Sequence, residues 1–418
     1  ENPYRIGAGL APALVGPRRP HVYELDPLRI TTALVVVAVH VLAFTVFLNQ
    51  TTMGVQIQNA VITAIHYTRE MFMFVTAFAL VYVYYGKPFS ATRFWKRRAV
   101  GVFLPYCIWS LVYLLVNQPQ RTLSSFITTL ILDIISGSAS YQLYFILLSL
   151  QFYILFPLFL PFVSFIKKHP WTTLAISFVL EVLMLYVDYH TLQRGAGAGV
   201  PLWHFIWQCQ DSIIFTYQFY FILGALTAIY LPQVRSFLKR WGWWTLPAFL
   251  VALLALWVHY FMQVLYYKEA SGYATSVLQP IMTFFSLAII AFFFWLAYRW
   301  ASNVDEAGHP RSYRVWSVLS DASFGVYLIH ALLLAWFLQV LVPAMPQAWP
   351  VVLRVLLTWI ATAGSATLAS IILMNIPVLS RLVGRSKPLP YDILVWKRLQ
   401  KPIMSTEKAP HVYKKADI

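Results

Sequence analysis

Residues 24–40 read ELDPLRITTALVVVAVH, with charged residues at one end and a single histidine at the other. Ten uncharged residues separate Arg29 from His40. A helix turns about 100° per residue, so eleven steps bring His40 to within about 20° of the face of Arg29 and roughly 16 Å further along the axis. Because an ionisable side chain inside a membrane is costly, this spacing predicts a functional site that runs from the membrane surface at Arg29 to mid-bilayer at His40.

The composition predicts a polytopic helical membrane protein. Hydrophobic residues form 60% of the chain, charged residues form 11%, and the mean hydropathy is +0.65. A soluble domain is typically about 45–50% apolar and about 25% charged, so a soluble domain is excluded. The formal charge of +16 does not indicate a nucleic-acid partner, since cytoplasmic loops of membrane proteins collect Lys and Arg. The two cysteines, Cys107 and Cys209, fall near opposite membrane faces, so neither a disulfide nor a metal site is expected.

Apolar runs of spanning length predict about ten transmembrane helices. These runs cover residues 30–48, 69–85, 99–117, 142–165, 171–187, 211–231, 243–265, 277–299, 316–341 and 350–374. With ten crossings, 26 of the 31 lysines and arginines fall on one side of the membrane, together with both termini. The positive-inside rule therefore predicts that both termini are cytosolic.

An eleventh apolar run, residues 122–136, carries polar side chains along one helical face. If this run crossed the membrane, the later basic loops would change sides and the charge asymmetry would largely vanish. We expect an amphipathic helix that lies in the outer interface or lines a polar cavity. The alternative is a short eleventh helix packed inside the bundle.

The chain is accordingly divided into three parts. Residues 1–24 are expected to form a cytosolic N-terminal segment, residues 25–375 the transmembrane domain, and residues 376–418 a basic cytosolic tail. Such a basic tail is expected to contact anionic membrane lipids.

A second basic cluster, residues 93–98, is predicted at the same membrane surface as Arg29. Its cations Arg93, Lys96, Arg97 and Arg98 could bind a phosphate-rich ligand, arginine through forked hydrogen bonds and lysine as a point charge. A cluster of this kind is also the ordinary positive-inside signal of a membrane protein. Arg29 at the same surface favours the phosphate-binding interpretation.

Several separated segments together resemble the acyltransferase-3 family of membrane O-acyltransferases, which acylate bacterial surface glycans. The segments are LDPLR leading to His40, REMFMFVT at 69–76, the Arg-rich run before LPY at 104–106, YQLYF at 141–145 with QFYILFP at 151–157, FYFILG at 219–224 and SFGVYLIH at 323–330. The resemblance extends over about residues 23–375. Four positions depart from the family pattern: Pro27 often is Gly, Thr31 and Thr32 replace small apolar residues, and the Arg expected three residues after Arg98 is replaced by Gly101.

The resemblance implies the chemistry of the site. It implies a multi-pass protein of the bacterial cytoplasmic membrane that takes an acyl group, most often acetyl, from cytosolic acyl-CoA and needs no metal. The acceptor would be a hydroxyl of an extracytoplasmic or lipid-linked glycan. Arg29, together with Arg93, Lys96, Arg97 and Arg98, would bind the donor phosphates.

We expect His40 to act as the general base for the acceptor hydroxyl. His330 could position the acceptor, carry the acyl group transiently or make a structural hydrogen bond, and positioning is the preferred interpretation. Glu70, beside Arg69, could orient a histidine or the acceptor, but an internal ion pair is the preferred interpretation. Arg29 and His330 complete the predicted catalytic set with His40. The alternative function is a polysaccharide or lipid exporter or flippase, and a further alternative is an inactive scaffold of polysaccharide assembly.

Overall fold

The structure is a computed structural model that describes residues 19–117, 122–195, 199–200 and 210–385. Within these ranges the chain is helical, and the only β pairing is the isolated bridge between Val304 and Pro310. The predicted all-α polytopic bundle is therefore confirmed. Most of the predicted N-terminal segment, most of the basic tail and Cys209 lie outside the described residues.

Fifteen α-helices are numbered along the described chain. They are α1 Leu25–Thr45, α2 Thr52–Ile65, α3 Thr68–Tyr84, α4 Ala91–Arg98, α5 Leu104–Asn117, α6 Leu123–Ser136, α7 Tyr144–Lys168, α8 Pro170–Val187, α9 Gln218–Ile229, α10 Leu231–Trp241, α11 Thr245–Phe261, α12 Ser271–Ala274, α13 Pro280–Ala301, α14 Tyr313–Ala344 and α15 Val351–Asn375. A π-helical turn, Ala99–Phe103, joins α4 to α5 into one continuous rod.

In the part of the chain that the structure describes, eight helical segments are long and apolar enough to cross a membrane, and each coincides with one of the ten predicted spans. The other two predicted spans are shorter helices, α3 with 17 residues and the segment Ile214–Ile229 that contains α9. These two helices pack against each other, and most of their side chains are buried. They therefore fill the centre of the bundle, where neighbouring helices surround them.

Helix α6 corresponds to the ambiguous run 122–136. The hydroxyl of Thr122 accepts a hydrogen bond from the backbone N–H of Ser125 at the start of the helix, and Gly137 ends it in the left-handed conformation at φ 77°. None of its residues is buried, so the helix does not lie inside the bundle. Its 14 residues extend about 21 Å, which is shorter than a membrane core. The structure thus contradicts an eleventh internal helix, and the interfacial position stays a prediction.

Helix α2 was not predicted from the sequence, because its many amides and hydroxyls interrupt the apolar pattern. It folds back against the end of α1, where the Gln58 amide donates to the Leu42 carbonyl at 2.7 Å and accepts from the Asn49 amide at 2.5 Å. This hairpin places His66, the residue after α2, beside His40 on α1.

Ion pairs fix the start of α1. Glu24, 1% exposed, accepts two hydrogen bonds from the guanidinium of Arg235 on α10, at 2.6 and 2.9 Å. Asp26 accepts from His21 at 2.7 Å, and this hydrogen bond raises the pKa of His21 above its ordinary value. Both carboxylates of the ELDPLR segment are thereby engaged away from Arg29 and fix the orientation of the helix that carries it.

After α15 the chain turns back under the bundle. We call residues 376–385 the C-terminal strap. The indole N–H of Trp109 donates to the Leu382 carbonyl at 3.0 Å, and Arg385 pairs with Asp321 of α14 at 2.5 Å. Gly384 adopts φ 77°, and a Cβ there would stand 2.6 Å from the carbonyl oxygen of Gly101. The strap therefore packs against both α14 and the α4–α5 rod.

Candidate functional site

A cavity of about 380 Å³ lies at the Arg29 end of α1, and we call it the basic cavity. Three arginines from separate parts of the chain line it: Arg29 of α1, Arg98 at the end of α4 and Arg385 of the strap. The wall also includes polar and aromatic side chains, among them Thr76, Ser149, Tyr153, Asp321, Ser323 and Phe324. Three cations against one carboxylate make this cavity suited to an anionic ligand.

Arg98 is held for such a ligand by aromatic neighbours. Its guanidinium carbon lies 5.4 Å from the ring centre of Phe94 and 4.8 Å from that of Tyr153. These are cation–π distances, which fix the side chain without occupying its hydrogen-bond donors. Its Nε–H is buried and makes no hydrogen bond with the described residues. A phosphate oxygen is the kind of acceptor that this donor would prefer.

The predicted phosphate cluster is divided between two pockets. Arg93 and Arg97 line a neighbouring pocket of about 260 Å³ with Tyr84, Phe89 and Phe94, whereas Arg98 lines the basic cavity. Lys96 is exposed and lines neither. The division follows from helix geometry, because residues four apart share a face of α4 and adjacent residues differ by about 100°.

A smaller cavity of about 70 Å³ surrounds His40, and we call it the inner cavity. His40, Val36 and Val39 line it from α1, about two to three turns beyond Arg29. The opposite wall is polar and comes from His66, Thr68, Arg69, Gln142 and Tyr144. The eleven-residue spacing of Arg29 and His40 thus places the two side chains in two adjacent cavities along one helix.

His40 is surrounded by aromatic rings. Its ring centre lies 4.5 Å from that of Tyr141 and 5.4 Å from that of His330, with the two imidazoles nearly parallel at 21°. His330 is fully buried, and its Nδ1 lies 2.8 Å from the carbonyl oxygen of Tyr327. A carbonyl oxygen only accepts, so Nδ1 carries the hydrogen and Nε2 keeps its lone pair. That Nε2 has no hydrogen-bond partner in the described part of the chain.

Gln142 contributes a second buried polar side chain beside the inner cavity. The residue is 1% exposed, and its side-chain oxygen accepts from the Ser140 hydroxyl at 2.7 Å. Its amide lies next to the Tyr113 hydroxyl, Nε2 makes no hydrogen bond of good geometry with the described residues, and Gln142 lines the inner cavity with His40. Buried donors are nearly always satisfied in folded proteins, so an amide at a cavity wall without a well-formed hydrogen bond can donate to a ligand.

Three aromatic side chains separate the two cavities, and we call them the aromatic constriction. Phe72 of α3, Phe145 of α7 and Tyr327 of α14 line both cavities at once. The ring centres of Phe72 and Phe145 are 5.4 Å apart, those of Phe145 and Tyr327 are 6.1 Å apart, and those of Phe72 and Tyr327 are 6.3 Å apart. The Tyr327 hydroxyl donates to the backbone carbonyl of Gln142.

Arg69 and Glu70 are adjacent in sequence, but only one of them lines a cavity. Arg69 lines the inner cavity, donates to the Tyr217 hydroxyl at 3.2 Å and lies 5.7 Å from the centre of the Tyr144 ring. Glu70 is 3% exposed and lines neither cavity. The structure therefore gives Arg69, rather than Glu70, access to a ligand beside His40.

Sequence reasoning missed Arg385, Asp321, His66 and Gln142. Arg385 lies beyond the last apolar run, in a segment assigned to the tail, and Gln142 is an uncharged residue at a helix start. His66 lies three residues before Arg69 in the sequence, and this proximity was the one signal that could have indicated His66 as a site residue. Of the predicted site residues, the structure brings Arg29 and Arg98 together in the basic cavity and His40 and His330 together beyond the constriction.

Comparison with protein families gives one match. A family model described as an acyltransferase domain matches residues 22–374. The match includes α1 to α14 and nearly all of α15, and thus every described element of the two cavities except the strap. Searches of curated proteins and of solved structures returned no match.

Proposed function

This chain belongs to the acyltransferase-3 family and is a membrane acyltransferase, and we propose that it transfers a short acyl group from cytosolic acyl-CoA to a glycan hydroxyl. The acceptor would be an extracytoplasmic or lipid-linked glycan. One observation carries the proposal: an arginine-lined cavity and a histidine-lined cavity meet at the aromatic constriction. A donor bound at one cavity can thereby present its acyl group to a base in the other.

The basic cavity fits the phosphates of CoA. Arginine recognises phosphate through paired hydrogen bonds, and three arginines from α1, α4 and the strap converge here. Its volume of about 380 Å³ is in the range of small-molecule sites. Gly384, the residue before Arg385, contacts Gly101, and both Gly101 and Arg385 line this cavity; Gly101 is the position where the resemblance leads one to expect a further Arg. We assign to Arg385 the phosphate-binding role expected of that arginine.

The residues of the inner cavity fit acyl transfer. The acceptor oxygen would attack the thioester carbonyl while His40 takes the hydroxyl proton. The C–S bond then breaks, and His40 returns the proton to the departing sulfur, which leaves as the CoA thiol. The amide N–H of Gln142 would donate to the carbonyl oxygen as negative charge develops on it. In this scheme Arg69 and His66 contact the acceptor.

His330 fits a positioning role better than that of an acyl carrier. It is fully buried and lines neither cavity, so an acyl group in the inner cavity does not meet its ring. Its tautomer is fixed by the Tyr327 carbonyl, and its parallel ring packs against His40. His330 would therefore hold the His40 imidazole in one orientation.

The exporter alternative finds less support. Export of a glycan requires a passage that admits a sugar ring, whereas the inner cavity has a volume of only about 70 Å³. Acyl transfer requires only that the acyl group and one acceptor hydroxyl meet there. Family membership favours the enzyme as well.

The test is transfer of radiolabelled acetyl from acetyl-CoA to the glycan fraction of cells that contain the protein, together with thiol release by the purified protein. Loss of a general base typically costs about 10²- to 10⁴-fold, so His40→Ala should lower transfer by that factor. Arg98→Ala should raise the KM for acetyl-CoA about tenfold or more, because a charged hydrogen bond contributes about 1.5–3 kcal/mol.

Two variants are matched controls. His169→Ala removes an exposed histidine between α7 and α8, and Arg240→Ala removes an exposed arginine at the end of α10. Both should leave rate and KM within about twofold, and all variants should keep the thermal unfolding midpoint of the parent protein. Unchanged acetyl transfer in folded His40→Ala protein would rule out this residue as the base. No transfer by the parent protein, with any acyl-CoA, would contradict the proposed function itself.

A further inference from the structure

The three rings of the aromatic constriction stand at the one place where the two cavities meet. We infer that Phe72, Phe145 and Tyr327 select the acyl group by size and keep water of the basic cavity away from His40. The inference deepens the proposed function and rests on it for the identity of the donor. Its physical part, a barrier between the two cavities, rests on the geometry alone.

The rings are close enough to form a continuous barrier. Their centres are separated by 5.4 to 6.3 Å, within the range of about 4.5–7 Å for aromatic pairs in contact. Each ring comes from a different helix, namely α3, α7 and α14, so the barrier joins three walls of the bundle. A flexible pantetheine arm that carries an acyl group must pass between these rings to reach His40.

The three rings differ in how firmly they are held. Tyr327 is fixed at both ends, because its hydroxyl donates to the Gln142 carbonyl and its own carbonyl accepts from His330. Phe145 is 8% exposed, packed between the other two rings. Phe72 is only half-buried. Phe72 is therefore the ring with room to turn, and Tyr327 is the fixed side of the passage.

The space beyond the rings limits the acyl group. A cavity of about 70 Å³ holds a few water molecules, since one water occupies about 30 Å³ of liquid, and a two-carbon acetyl group is of comparable size. A six-carbon hexanoyl chain would have to leave part of its length between the rings and hold them open. The barrier thus couples acyl length to closure of the passage, and closure protects the thioester from hydrolysis.

The first experiment compares acetyl-, butyryl- and hexanoyl-CoA in the full-length protein. We expect the parent protein to use acetyl at least tenfold better than hexanoyl, as measured by kcat/KM for thiol release with acceptor present. Phe145→Ala and Phe72→Ala should each lower this preference at least fivefold and raise thioester hydrolysis without acceptor. Phe152→Ala is the matched control, because Phe152 is buried on α7, stacks on Phe221 at 4.3 Å and lines neither cavity. An unchanged length preference and unchanged hydrolysis in both folded constriction variants would overturn the inference.

The second experiment measures the barrier without any acyl transfer. Cys107 and Cys209 are replaced by serine, and one cysteine is introduced either at Ser149, which lines the basic cavity, or at Val36, which lines the inner cavity. An anionic methanethiosulfonate is then added to membrane vesicles with the cytosolic face outward. Ser149→Cys should react equally with or without Phe145→Ala. Val36→Cys should react at least tenfold faster when Phe145→Ala is present.

The outcomes of the two experiments distinguish failure of the barrier from failure of the proposed function. Equal reaction rates of Val36→Cys in both backgrounds would show that the rings are not a barrier, whatever the enzyme transfers. Faster labelling in the Phe145→Ala background, combined with no acyl transfer by the parent protein, would support the barrier and contradict the proposed function.

Discussion

At the residue scale, α1 carries one ionisable side chain for each of the two cavities. Its carboxylates Glu24 and Asp26 bind Arg235 and His21, and Arg29 faces the basic cavity. Three turns later His40 faces the inner cavity. The periodicity of a helix was sufficient to predict that Arg29 and His40 share a face, because that relation depends on local geometry alone.

The contribution of Gln142 follows from tertiary contacts and could not be predicted from sequence. Its residue type is uncharged and common, and only the folded chain shows that Ser140 satisfies its oxygen and that Gln142 lines the inner cavity. The same holds for Arg385, whose place in the basic cavity depends on the fold of the strap.

Replacement of Gln142 tests the donor proposed for the reacting carbonyl oxygen. Gln142→Leu should lower kcat for acetyl transfer about 10²- to 10³-fold, the usual cost of one oxyanion donor, and leave the KM for acetyl-CoA within about threefold. The measurement is steady-state thiol release at saturating acceptor. Gln339→Leu, at an exposed position of α14, is the control and should behave as the parent protein. A kcat within threefold of the parent value in Gln142→Leu would exclude the role.

At the element scale, the long apolar helices were predictable and the short ones were not. Hydropathy identifies a helix that is apolar along its whole length, as contact with lipid requires. Helix α2 and the strap bury little apolar surface of their own and are fixed by partners such as Leu42 and Trp109. Their positions depend on which helices are neighbours, and the sequence pattern does not contain that information.

The central pair α3 and α9 depends on close backbone contact at Gly224. A Cβ at this position would collide with the carbonyl oxygen of Phe74 on α3. Gly224→Ala should therefore destabilise the protein by about 1–3 kcal/mol through overpacking and lower the thermal unfolding midpoint in detergent. Gly364→Ala is the matched control, because a Cβ on that glycine of α15 meets no atom within 4 Å. Equal unfolding midpoints for the two variants would contradict a tight α3–α9 contact.

At the scale of the whole molecule, charge asymmetry and cavity chemistry agree. The end of the bundle that carries Arg29, Arg98 and Arg385 is the end to which the positive-inside rule assigns the cytosol, where acyl-CoA is available. Sequence alone predicted this orientation together with the fold class. It did not predict the constriction, because its three rings come from helices far apart in the chain.

The orientation is tested by reporter fusions. Alkaline phosphatase, which is active only outside the cytosol, should be inactive when fused after Ile418 and active when fused after Gln347, in the loop between α14 and α15. The ratio of the two activities, normalised to protein amount, measures sidedness. Activity at Ile418 comparable to that at Gln347 would contradict cytosolic termini.

The C-terminal strap makes the order of synthesis matter. The wall of the basic cavity is incomplete until Gly384 and Arg385 have reached Gly101 and Asp321. A ribosome makes these residues after the fifteen described helices, so a nascent chain lacks this part of the cavity wall until those helices have been made. A protein truncated at residue 374, where the family match ends, would retain nearly all of its helices and would still lack the third arginine. The basic cavity is thus completed by a segment that is made later than every helix that builds the rest of its wall.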